Sequence, residues 1–125
     1  MSLDSYVPPQ NATELLNRYR MGERYLVKSE LDDKVNDLRD VVLTEADLSH
    51  SFIVADFRGA DLRGVNFSHC NVKTCDFRKA DLRDANFSGA ALESTLFEGA
   101  KLEGANFTGA SCYSRIFKKG EQPDW

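Results

Sequence analysis

The chain has 125 residues, of which 42% are hydrophobic and 29% charged, and its formal net charge is −4. That length suits one domain, no apolar run approaches the roughly 18 residues of a membrane span, and the acidic balance argues against a protein built to neutralise phosphates. Three cysteines with no CxxC spacing argue against both a disulfide framework and a zinc site.

Residues 1–10, MSLDSYVPPQ, read as a disordered lead-in closed by Pro8-Pro9. They show no basic segment followed by an apolar core, so a cytoplasmic location is expected. Asn11 then reads as an N-cap with Glu14 at the third helical position, a capping-box arrangement. Leu15, Leu16 and Tyr19 form a short apolar stripe, and Gly22 is the expected stop. A helix this short is marginal alone and needs a surface to pack on. Residues 11–24 are therefore expected to be an N-terminal capping helix.

From Tyr25 a spacing of five begins to emerge. Leu38, Leu43 and Leu48 are five apart, but Leu31 to Leu38 is seven and Leu48 to Phe52 is four. From His50 to Lys119 the spacing is strict: fourteen consecutive five-residue units run without insertion or deletion. The middle position of each unit is Phe, Leu, Val or Cys, and all eight Phe of the chain sit there. Two residues earlier stands a small residue, Ala in eight units, with His50, Val65, Cys70, Cys75, Thr95 and Arg115 as exceptions. Between these two positions Asp or Asn is frequent, and Gly often ends the unit.

Helices repeat at 3.6 residues and strands at 2.0, so neither has this period. Two apolar positions in every five face one interior if the chain turns a corner once per unit. Four units then make a square coil of twenty residues, and coils stack at roughly 4.8 Å, the ordinary inter-strand distance. Stacking by twenty gives columns Phe57, Phe77, Phe97, Phe117; then Leu62, Leu82, Leu102; then Phe67, Phe87, Phe107; and last Phe52, Val72, Leu92, Cys112. The same subtraction places Leu31, Leu38, Leu43 and Leu48 under Phe52, Phe57, Leu62 and Phe67. Residues 25–49 are then an atypical first coil, with a bulge near 32–36 and a tightened corner near His50. A helical segment over 29–40, with Val35 and Leu38 on one face, is the competing reading.

These units, written A-(D/N)-L-x-x, resemble the pentapeptide-repeat family. The resemblance covers more than half the chain, and ELLNRYRMGER is similar to the lead-in of cyanobacterial members. It implies an all-β solenoid, a right-handed quadrilateral β-helix over 25–119 with strict repeats at 50–119, under a short helical cap. Residues 120–125 are a tail in which Gly120 and Pro123 end the repeat, and no amphipathic helix follows to close the tube.

No catalytic constellation is visible, and neither a metal nor a cofactor is expected. His50 falls at an inward small position and His69 in a turn, while Cys70 and Cys75 replace inward Ala. Outward, Arg58 and Arg78 stack on one side and Arg63 and Arg83 on the next as two basic ladders, which read either as a basic patch or as a solvated surface on which the neighbouring Asp56, Asp61, Asp76 and Asp81 offset them as exposed ion pairs. One outward column turns apolar: Asp56, Asp76, Leu96, Ile116. With Tyr113 and Trp125 these residues suggest a contact surface at the uncapped end, unless the tail folds back so that Trp125 covers Leu96 and Ile116.

The expected role is a small, rigid, non-enzymatic protein–protein interaction module, binding a protein partner or a second copy through a C-terminal end-to-end contact. Family resemblance adds an alternative: some members mimic B-DNA and bind DNA gyrase. That mimicry needs a long acidic rod, whereas four to five coils span roughly 20–25 Å and carry Arg ladders on two sides. Direct binding of nucleic acid is disfavoured by the acidic net charge and the intervening Asp.

Overall fold

The computed structural model describes residues 5–125. The part of the expected disordered lead-in at 1–4 lies outside the described residues. Over 5–10 the chain is fixed rather than disordered. The Tyr6 hydroxyl donates to the Val27 carbonyl at 2.8 Å, and its ring meets Tyr25 edge-on at 4.9 Å. The Glu30 N–H donates to the Pro9 carbonyl at 2.9 Å. Pro8-Pro9 already restricts the backbone, so few bonds suffice to order it.

Helix α1 spans Ala12–Arg20. Asn11 is extended at φ −159°, and its side chain accepts the Glu14 N–H at 2.8 Å. The Glu14 carboxylate turns back to the N–H of Gln10, at 3.4 Å, instead of that of Asn11. The helix ends at Met21, followed by Gly22 at φ +97°. Leu15 is fully buried in the core, and Leu16 and Tyr19 pack against it. The Tyr19 hydroxyl bonds the carbonyl and hydroxyl oxygens of Thr44, each at 2.9 Å, which pins α1 to the first coil.

Four sides follow, each named here by its inward column. Side one carries Leu38, Phe57, Phe77 and Phe97; side two Leu43, Leu62, Leu82 and Leu102. Side three carries Leu26, Leu48, Phe67, Phe87 and Phe107; side four Leu31, Ile53, Val72 and Leu92. Coils join by parallel bridges such as Asp56 to Asp76 and Asn66 to Asn86. Each inward residue donates its N–H to the next coil: Phe57 to Asp76 at 2.8 Å, Leu62 to Asp81 at 2.9 Å, Phe67 to Asn86 at 2.7 Å. Phenylalanines stack within a column (Phe57 to Phe77, 5.3 Å; Phe67 to Phe87, 4.8 Å). Across the tube, rings of sides one and three meet edge-to-face, Phe77 to Phe87 at 5.5 Å. Both geometries suit the ring quadrupole, so the tube is a packed core. The molecule is a right-handed quadrilateral β-helix with one short N-terminal helix.

The regular five-residue corners use a left-handed residue, whereas the corners inside β1 and β2 do without one. Gly59, Gly64, Gly89 and Gly99 supply the left-handed conformation without steric cost, at φ between +68° and +75°. Asp40, Glu45, His50, His69, Thr74, Lys79 and Asp84 adopt it too, at φ between +56° and +66°. Thus His50 is a corner residue, exposed and stacked on His69 at 5.1 Å; it does not occupy the inward position expected of it. The inward small residue beside it is Ser51, 2% exposed.

That difference reflects a one-residue error of phase. Strands β1 (Glu30–Asp37) and β2 (Phe52–Asp56) pair in parallel, with Leu31 opposite Ile53 and Phe52 opposite Glu30. Ile53 is fully buried and Phe52 is 45% exposed. The five-residue step therefore continues from Leu48 to Ile53, and the short unit is 51–54. Strict repeats begin at Ala55 rather than His50, and Phe52 is the one Phe outside the tube. The bulge expected near 32–36 is present between Leu31 and Asn36, so 29–40 is strand and loop, not helix. Buried Asn36 holds it by donating to the carbonyls of Leu31, Lys34 and Val54 at 2.9–3.1 Å.

The far end also departs from simple stacking. After β3 (Ser111–Cys112) the chain reverses at Tyr113, φ +56°, into antiparallel β4 (Arg115–Ile116). Phe117 consequently packs on Phe107, 6.0 Å away, and leaves the Phe97 column. Trp125 takes that place. Its carbonyl accepts the Phe97 N–H at 3.2 Å, and its ring meets Phe97 and Phe117 edge-on, both at 6.0 Å. The indole N–H donates to the Thr95 carbonyl at 2.8 Å. Gln122 caps the carbonyls of Leu102 and Ala105, and Pro123 is buried. The tail thus closes the end that looked open.

Candidate interaction surface

Outward side chains form ladders because equivalent positions lie one strand spacing apart. In the sequence Asp-x-Arg, both charged residues point out of one side and lie next to each other. Arg58 binds Asp56 through Nε and Nη2, the shortest contact 2.7 Å. Arg63 binds Asp61 the same way, Arg78 binds Asp76 and Arg83 binds Asp81. Arg39 and Asp37 repeat the motif in the first coil. Longer diagonal contacts link coils: Arg58 to Asp76 at 3.6 Å and Arg63 to Asp81 at 3.9 Å. The two expected basic ladders are therefore ladders of ion pairs. The arginine beside each carboxylate holds Asp56, Asp61, Asp76 and Asp81 below the ordinary range, and each carboxylate in turn raises its arginine.

On the last coil the signs reverse. Lys101 follows Asp61 and Asp81 in their column, and Glu103 follows Arg63 and Arg83. On side one, Leu96 and Glu98 replace Asp and Arg. Lys101 helps hold the Asp81 carboxyl low, and Glu98 and Glu103 help raise Arg78 and Arg83. Side three is uncharged over its regular coils: Asn66, Asn86 and Asn106 accept the N–H of Ser68, Ser88 and Thr108 at 2.9–3.0 Å.

The apolar candidates separate into two sets. Leu96 is 44% exposed, Tyr113 73% and Ile116 60%. The Tyr113 hydroxyl lies 3.0 Å from that of Ser94, one corner from Leu96. Ile116 does not continue the Leu96 column, because the reversal at Tyr113 pairs it with Ser111. Trp125 is partly buried and belongs to the closure of the tube; it leaves Leu96 and Ile116 uncovered.

The thiols of Cys70 and Cys75 are pushed up to about 12, chiefly by burial, and donate to carbonyls of Leu48 and Ile53. Burial also raises Cys112. Among the described residues no three His, Cys, Asp or Glu side chains gather as a metal site, and no helix is long and apolar enough to cross a membrane.

Sequence reading missed two grooves. One, of about 360 Å³, is lined by Arg39, Asp40, Arg58, Gly59, Arg78 and Lys79. The other, of about 470 Å³, lies between α1 and the first coil and is lined by Leu16, Tyr19, Arg20, Arg24, Asp40, Val41 and Val42. A signal for the second was present: Val42 stands where the coils below place Asp61 and Asp81.

No curated protein matches the chain. Among solved structures, it is similar to a pentapeptide repeat protein from Nostoc Pcc 7120 at 29% identity, covering 94% of this chain and 93% of that one, TM-score 0.45. A pentapeptide repeat protein of the Arabidopsis thaliana thylakoid lumen is similar at 27% identity over 68% of this chain and 66% of that one, TM-score 0.40. One from Cyanothece 51142 is similar at 24% identity over 64% and 57%, TM-score 0.41. Residues 36–107 match the family described as Pentapeptide repeat region. With that match running over more than half of its length, the chain belongs to the pentapeptide-repeat family.

Proposed function

We propose that the protein is a rigid, non-enzymatic protein–protein interaction module of the cytoplasm. The observation that supports it is the exposure of Leu96, Tyr113 and Ile116 after the tail has closed the tube. Asp56 and Asp76 precede Leu96 in its column, and a closed end has no structural need for an apolar residue there. The partner is another protein or a second copy in an end-to-end contact, and solution mass separates these. Cross-linked capture from the native host, comparing wild type with Leu96→Asp/Ile116→Asp, tests the reading. The double variant should melt like wild type and lose the captured partner. Equal capture by both proteins, with wild type monomeric, would remove this surface from the function.

A further inference from the structure

The two grooves share Asp40 and form one trough, from α1 down the corner between sides one and two. Its upper part has an apolar floor of Leu16, Val41 and Val42. Arg20 and Arg24 flank that floor, and Arg24 lies over the Tyr19 ring at 3.7 Å. Its lower part is walled by Arg39, Arg58, Arg78 and Lys79, and at Gly59 the missing side chain leaves room for the Asp40 carboxylate, which lies over that corner. The carboxylates that pair with these arginines, Asp37, Asp56 and Asp76, do not line the trough. Each pair is thus a dipole with its positive end toward the groove. Asp40 is the one carboxylate among the lining residues.

We propose that this trough docks an acidic polypeptide segment of a partner protein, with an apolar side chain seated on Val42 and carboxylates along the arginines. Six basic residues against one carboxylate along the lining choose acid, and the apolar floor chooses polypeptide over a phosphate backbone, which has no apolar side chain to seat there. Val42 is the most telling residue. Asp stands at this position in the two coils below, so the fold tolerates it, yet here an aliphatic residue is 54% exposed. The proposal adds a surface to the interaction-module reading and lies apart from Leu96 and Ile116.

The test is fluorescence anisotropy with a labelled peptide of alternating glutamate and leucine, against full-length protein at low salt. Saturable binding should weaken about tenfold in Val42→Asp and in Arg20→Glu/Arg24→Glu, and change less than about twofold in Arg63→Glu, which has the same local ion pair outside the trough. Leu96→Asp/Ile116→Asp should leave it unchanged, so loss of partner capture in that variant with intact peptide binding separates the two surfaces. Each variant should melt within a few degrees of wild type. Absence of saturable binding, or equal loss in Arg63→Glu, overturns the proposal. Displacement of the peptide by a single-stranded oligonucleotide would overturn the polypeptide assignment in favour of nucleic acid.

Discussion

Phe77 lies between Phe57 and Phe97, with ring centroids 5.3 and 5.2 Å away, and is fully buried. Phe77→Ala should cost about 3–5 kcal/mol, the usual range for a buried aromatic truncation, visible as a large drop in melting temperature. At the corners the limiting residue is Thr74, β-branched and held at φ +66°. Thr74→Gly should stabilise the protein by about 1 kcal/mol in a denaturant melt, since relief of the left-handed strain exceeds glycine's entropic penalty. The paired carboxylates set the acid response. Their folded values lie below the ordinary 3.8, with Asp37 lowered to about 2 by Arg39. A lowered folded value stabilises above the unfolded one and is lost as pH falls through the folded one. Thermal melts should therefore agree between neutral pH and about pH 5, then fall below about pH 4. The loss should be modest, because the arginine half of each pair is open to solvent.

Among the elements, the two ends decide whether the tube is closed. Leu15 of α1 is buried in the core at one end. At the other, Trp125 covers Phe97 and Phe117 and bonds the backbone of Thr95 and Phe97. Removing residues 120–125 should uncover those rings and leave the last coil's carbonyls unpaired, a standard route to edge-to-edge aggregation. The expected result is a lower melting temperature and concentration-dependent aggregation by light scattering. An unchanged melt and a clean monomer would show that the hairpin of β3 and β4 closes the end alone.

At the scale of the whole molecule, sides one and two carry rows of paired charges followed by a coil of inverted sign, and side three is uncharged over its regular coils. Such a surface is a poor imitation of a continuous phosphate rod. The purified protein should neither inhibit DNA gyrase supercoiling nor protect the enzyme from quinolones at micromolar concentration. Inhibition there would move the DNA-mimic reading to first place and would place the contact away from sides one and two.

The fold was legible because the period itself is a structural instruction. Only a corner in every unit lets two positions in five share one interior, and the Phe and Leu columns of sides one to three over residues 55–109 follow from counting. The phase at 48–57 was not legible, because Phe52 and Ile53 are adjacent and both apolar. Pairing of β1 with β2 decided it, by setting Leu31 against Ile53. Asp-x-Arg announced charges on one side, but whether arginine faces solvent or its own aspartate depends on how far the side chain reaches along the strand, which spacing does not specify. The reversal at Tyr113, and the seating of a folded-back Trp125 on Phe97 instead of over Leu96 and Ile116, were beyond reach for a related reason. A five-residue count says where a coil would continue, while an end is determined by which buried rings and unpaired backbone groups lack a neighbour. That lack exists only once the tube is assembled.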